Sequence, residues 1–315
     1  MARRRTTAGA GRARISGELV WKLVRAVLVL AVVVLAALGG VGAFVTYRVV
    51  TLFNHTESVT PQSSFQSNFV NLSFTDGRGG EHEGWLLVGL KGAPAIILCH
   101  GYNSNRSELL ALGGLLRQNH FNVYLYNSHG PKARQRFSDL GIRQTEDLLA
   151  AIATVVKQPG VNPRRVGLFG TNTGGYAALA AAEQSSLVKA LAVDTIYANP
   201  SQMLDAQVDQ LLGGTSGLFR LLPGMGFRLA TLGRTRPPVR DNLSKLEGVP
   251  KLFVMGRDMP LLAAATEDLY NTSPQPKRLL VLEHSYTTLA SGTIKKEYED
   301  QVLNFFLHNL PLRAD

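Results

Sequence analysis

One cysteine, Cys99, is present in 315 residues, which excludes an intramolecular disulfide and leaves the redox compartment unread. Following Ile96-Ile97-Leu98, it reads as a small core residue at a strand end. Acidic residues are in deficit, with 23 Asp and Glu against 33 Lys and Arg, a formal charge of +10. That surplus is local. Residues 1–25 hold Arg3, Arg4, Arg5, Arg12, Arg14, Lys22 and Arg25 against Glu18 alone, a net +6 that leaves +4 for everything after them. No basic stripe with interleaved aromatics runs through the remainder, so nucleic acid is not an expected partner. The seven histidines are scattered without ligand spacing, and no glycine-rich nucleotide fingerprint follows a first strand. Neither a metal nor a cofactor is expected.

Charge is missing altogether from Ala26 to Tyr47, a run of 22 residues dominated by Val, Leu and Ala. As a helix it spans roughly 33 Å, enough for a bilayer core. The basic flank precedes it, so the tail is expected in the cytoplasm and the rest of the chain outside. Val41-Gly42-Ala43 offers a small-residue cleavage site and hence a secretory-signal alternative. The long basic region before the run, and its continuation to Val45, favour an uncleaved anchor. The expected organisation is therefore a basic tail over 1–25, a transmembrane helix over 26–47, a polar tether over 48–65 and a globular domain over 66–315.

Within the domain, strands are expected at 68–74 and 83–90, joined by the turn signal Asp76-Gly77-Arg78-Gly79-Gly80. Strands at 95–99, 121–126, 166–169, 188–193, 251–255 and 278–282 alternate with helices at 106–119, 144–157 and 297–308. Repeated strand–helix units of this length imply a mostly parallel sheet covered by helices on both faces. Residues 197–247, rich in Leu, Gly and Pro, interrupt the alternation and read as a short helical cap.

The stretch Val166-Gly167-Leu168-Phe169-Gly170-Thr171-Asn172-Thr173-Gly174-Gly175-Tyr176 is a strand, a sharp glycine turn and the start of a helix. It resembles the G-x-S-x-G nucleophile elbow of the α/β-hydrolase superfamily, with Asn172 where that family carries serine. Three further stretches resemble the same superfamily. Ile96 to Asn105 is similar to the strand-H-G loop that supplies one oxyanion amide. Tyr126-Asn127-Ser128-His129-Gly130 is similar to its R-x-H-G turn, with Asn127 in place of arginine. Leu140 to Leu148 resembles the helix entry of membrane-anchored, serine-aminopeptidase-like members. The likeness covers roughly residues 66–310 and implies an α/β-hydrolase fold with a short cap.

The resemblance also fixes where a catalytic triad should stand. Asn172 occupies the nucleophile position, and an amide nitrogen cannot attack as an alkoxide does. The acid is expected in a G-x-x-D register after the penultimate strand, where Gly256-Arg257-Asp258-Met259 puts methionine. Asp258 is one residue early, and Asp194 is a substitute. The base is expected after the last strand, where His284 is the candidate and Tyr286 fits the slot equally well. His100 reads as a structural loop residue, and the hydroxyls of Thr171 and Thr173 as non-nucleophilic. The oxyanion amides are assigned by resemblance to Tyr102 and Thr173. Three departures at catalytic positions point to a membrane-anchored pseudohydrolase that binds a small acyl ligand or a protein partner. The alternatives are an active ester or amide hydrolase with a non-standard nucleophile, and a scaffolding protein.

Overall fold

The computed structural model describes residues 17–53, 57–63, 68–128, 135–214, 217–233, 238–289 and 292–312. It opens on α1 (Gly17–Val50), a helix with mean hydropathy 2.7 over its most apolar 18-residue window. Among the described residues most of α1 has no neighbour and exposes Val, Leu and Ala all round, as expected of a membrane span or a signal segment. Its last turns differ. Val45, Val49 and Val50 belong to the core of the domain, and Thr46 is buried beside them.

Residues 48–53, expected within a tether, are helix and strand instead. β1 (Thr51–Phe53) follows α1 directly and pairs antiparallel with β6 (Gln135–Phe137). The apolar residues Val49, Val50 and Leu52 explain this, since burying them requires the backbone to stay against the domain.

The main sheet has eight strands. β2 (Phe69–Thr75) and β3 (Glu81–Leu87) form the expected hairpin, and β3 pairs antiparallel with β5 (Asn122–Tyr126). β4 (Ala93–Cys99), β7 (Val161–Thr171), β8 (Val188–Asp194), β9 (Lys251–Gly256) and β10 (Lys277–Leu282) continue it in parallel, giving the order β2-β3-β5-β4-β7-β8-β9-β10. The inner strands read as continuous apolar runs because both faces are covered. In β4, Ala95, Ile97 and Cys99 point into one layer and Ile96 and Leu98 into the other.

The first layer is closed by α3 (Ile142–Val155), α4 (Asn172–Ala182) and α7 (Pro260–Thr272). The second is closed by α2 (Leu110–Gln118) and α8 (Thr293–Asn309). The helix expected from Arg106 begins as a 3-10 turn, Arg106–Leu109, whose Ser107 amide is capped by the Asn105 side chain. The cap contains α5 (Pro200–Leu212), which opens on a capping box between Asn199 and Gln202, then α6 (Gly217–Ala230) and a 3-10 segment, Val239–Leu246.

Candidate functional site

The elbow stands at the centre of the sheet, where β7 turns into α4. A Cβ at Gly174 would run into the carbonyl oxygens of Cys99 and His100, and one at Gly170 into the backbone of Gly174 and Gly175. Only glycine at both positions lets α4 start so close to β4 and β7. The turn residue is forced to positive φ, and Asn172 adopts φ 45°. Asn172 is buried, and its Nδ2 lies 3.9 Å from Met259 Sδ. Met259 is the residue standing in the expected acid register, so a thioether faces the elbow there. Thr171 Oγ1, one residue before the turn, is buried with no hydrogen-bond partner among the described residues.

Both candidate acids are committed to the turn that follows β10. Asp194, fully buried at the end of β8, accepts from the Tyr286 amide at 2.7 Å and the Tyr298 hydroxyl at 2.9 Å through Oδ2, and from Thr195 Oγ1 at 2.6 Å through Oδ1. Burial pushes its carboxyl up to about 6 in spite of these hydrogen bonds. Asp258 accepts from the Ser285 amide at 3.0 Å and the Ser285 hydroxyl at 3.2 Å, and from Thr288 Oγ1. It does not cap α7, whose N-terminal residue Met259 makes no side-chain cap. His284 is exposed and makes no hydrogen bond or ion pair with any described residue. Tyr286 is buried, but its hydroxyl donates to Glu299 Oε1 at 2.8 Å. The structure thus gathers Asp194, Asp258 and Tyr286 around one turn and leaves His284 outside it.

On the other flank of the elbow lies a cavity of about 280 Å³, bordered by Thr173, Gly101, His100 and Ser128 and reaching Asp139, Arg143 and Gln144. Thr173 sits in the first turn of α4, where backbone N–H groups have no intrahelical acceptor. The other residue assigned to the oxyanion pair, Tyr102, sends its hydroxyl to the Val49 carbonyl at 2.9 Å. His100 Nδ1 lies 3.0 Å from the Gly101 carbonyl, which only accepts, so the proton is on Nδ1. Nε2 is then free to accept from the Ser128 amide at 3.2 Å. His100 is therefore a bracing residue between two loops. His129 and Gly130 of the same motif lie outside the described residues.

The far wall of this cavity carries a cluster that sequence reasoning missed. Asp76 in the β2–β3 turn, His82 on β3 and Asp147 on α3 bring ligand-type atoms within 4.8 Å of one another. His82 Nε2 is 3.1 Å from Asp76 Oδ2 and 3.7 Å from Asp147 Oδ1, and the His82 ring stacks on Phe74 at 4.8 Å. Arg78 closes the cluster, with Nη2 at 2.9 Å from Asp76 and 2.6 Å from Asp147. Burial pushes the Asp147 carboxyl up to about 7. Asp76 is buried too, yet hydrogen bonds from His82, Gly80 and Arg78 outweigh that and hold its carboxyl well below the usual range. The donor types would suit a divalent cation, but the Arg78 guanidinium already pairs with both carboxylates there. The only sequence signal was the turn Asp76–Gly80, and Asp147 lies about seventy residues downstream of it.

Elbow, sheet order and cap together define the α/β-hydrolase fold. No family model matches the chain. Among solved structures, it is similar to the esterase Pf2001 of Pyrococcus furiosus, with TM-score 0.65, 15% identity and coverage of 83% of this chain and 98% of that one. It is also similar to a dienelactone hydrolase from Anabaena variabilis, with TM-score 0.56, 20% identity and coverage of 78% and 99%. Among curated sequences, it is 26% identical over 251 residues to protein YfhR of Escherichia coli O157:H7, covering 76% of this chain and 81% of that protein.

Proposed function

We propose that this chain is a membrane-anchored pseudohydrolase, which holds a small acyl ligand or a partner beside the elbow and runs no serine-hydrolase cycle. The observation that carries this reading is Asn172 at the apex of the turn, packed against Met259 rather than facing an acid–base pair. An amide nitrogen, its lone pair delocalised into the carbonyl, cannot replace an alkoxide. The carboxylates that would orient a base are occupied by Tyr286, Tyr298 and Ser285. The side chain at the sequence position of the base, His284, points to solvent. What persists is the binding half of a hydrolase site: the amides at Tyr102 and Thr173 for a carbonyl or carboxylate oxygen, and a polar cavity beside them. The anchor is α1, with the basic tail in the cytoplasm and the domain on the opposite side.

Fluorophosphonate labelling and short-chain ester turnover test the reading. The unmodified protein is expected to stay unlabelled and at background turnover, since loss of a triad serine removes on the order of 10⁶ in kcat. Asn172→Ser is expected to remain inert as well, because His284, the candidate base, is exposed and not held toward the elbow. Robust labelling of the unmodified protein at any pocket residue would refute the pseudohydrolase reading.

A further inference from the structure

The second cap helix, α6, carries a row of large apolar side chains that no described residue covers. Leu221 is 58% exposed, Met225 57%, Leu229 76% and Leu232, just past the helix, 86%. The first three recur at i, i+4 and i+8, so they form one stripe. The adjoining side of α6 lies on α1. A side chain at Gly42 would meet Leu222 Cβ at 2.6 Å, a side chain at Gly226 would strike Thr46, and Thr46 Oγ1 is 3.3 Å from the Pro223 carbonyl. Leu222 beside Gly42 and Gly226 beside Thr46 set the two helices side by side, running in the same direction.

This contact fixes a depth. Gly42 and Thr46 both lie inside the uncharged run that ends at Tyr47, before Arg48. With the membrane boundary at Arg48, Gly42 lies roughly 9 Å inside it and Thr46 roughly 3 Å. Whatever packs on these residues is carried to the same level. We infer that α6 is itself seated in the outer leaflet beside α1, its Leu221–Met225–Leu229 stripe in contact with lipid. The surrounding charge fits that partner. Residues 210–240 contain Arg220, Arg228, Arg234, Arg236 and Arg240 and no acidic residue; Arg220 and Arg240 pair with Asp209 and Asp268, which leaves the exposed Arg228 on α6 and the following Arg234 and Arg236 as the basic residues this segment offers. Such a segment suits anionic headgroups at the boundary. The cap would then face the bilayer, and the site beneath it would be reached by molecules that partition into lipid.

The inference rests on the anchor reading of α1, and one experiment separates the two. Single cysteines are placed at Val33, Leu221, Met225, Leu229 and Lys157 of the full chain, labelled with bimane and reconstituted into vesicles of phosphatidylcholine and phosphatidylglycerol carrying acyl-chain spin-labelled lipid. The native Cys99 is buried, with its thiol pushed up to about 12, and stays unlabelled. Val33 is expected to be strongly quenched and Lys157, exposed after the end of α3, not at all. Leu221 and Met225 should be quenched several-fold more than Lys157, with Leu229 shallower than both. Quenching at Val33 with Leu221 and Met225 no better quenched than Lys157 would overturn the lipid seat of α6 while the anchor stands. An unquenched Val33 would overturn both.

Discussion

Asp194, one of the two candidate acids, offers the sharpest test of what a buried carboxylate does at the end of β8. Its carboxylate is the buried acceptor for the Tyr286 amide and the Tyr298 hydroxyl, so it ties β8 to the 285–288 turn and to α8. Asp194→Ala strands both donors without an acceptor, at about 1–3 kcal/mol each, and is expected to cost roughly 4 kcal/mol. Asp194→Asn keeps an oxygen for them and is expected to cost about 1 kcal/mol at pH 7. The gap should depend on pH. Because the folded carboxyl is raised from 3.8 to about 6, its stabilisation is complete below pH 3.8 and is lost as pH climbs through 6. That span corresponds to roughly 3 kcal/mol. The asparagine variant does not titrate there, so wild type should lead it by about 3 kcal/mol at pH 4 and by only about 1 at pH 7. Urea unfolding of the full chain in detergent micelles, followed by tryptophan fluorescence, reads both values. A gap unchanged between pH 4 and 7, or alanine as mild as asparagine, would refute this account.

Gly174→Ala drives a methyl into the backbone of Cys99 and His100 and is expected to abolish folding or cost at least 3 kcal/mol in urea unfolding. Arg78→Ala leaves Asp76 and Asp147 buried without their cation and should cost about 3 kcal/mol; adding Asp147→Asn should recover at least half of that in a double-mutant cycle. Protease added to intact spheroplasts should digest the domain if it stands outside the cytoplasm, and full protection would reverse the proposed orientation.

The positions of the strands and the elbow were legible because they rest on local signals. Continuous apolar runs such as Ala95–Cys99 mark strands covered on both faces, and Gly170 and Gly174 mark a turn that tolerates no Cβ. What stayed hidden depends on contacts between distant segments. Nothing near Asp194 announces that its partners are Tyr286 and Tyr298, about a hundred residues on. Asp76, His82 and Asp147 become one cluster only when the β2–β3 hairpin is laid beside α3. Residues 48–53 looked like a polar linker because Arg48 and Thr51 mask the short apolar pattern of Val49, Val50 and Leu52.

The end of α1 has a mechanical consequence. Val49 receives the Tyr102 hydroxyl through its carbonyl, Val50 receives the Ser138 amide, and β1 follows without an intervening loop. The apolar helix is thus joined to the domain as a stiff mast rather than a slack leash. With α1 in a bilayer, its tilt would set the heading of the domain, and a change in bilayer thickness would act as a lever on the loop that carries Tyr102, at the flank of the elbow.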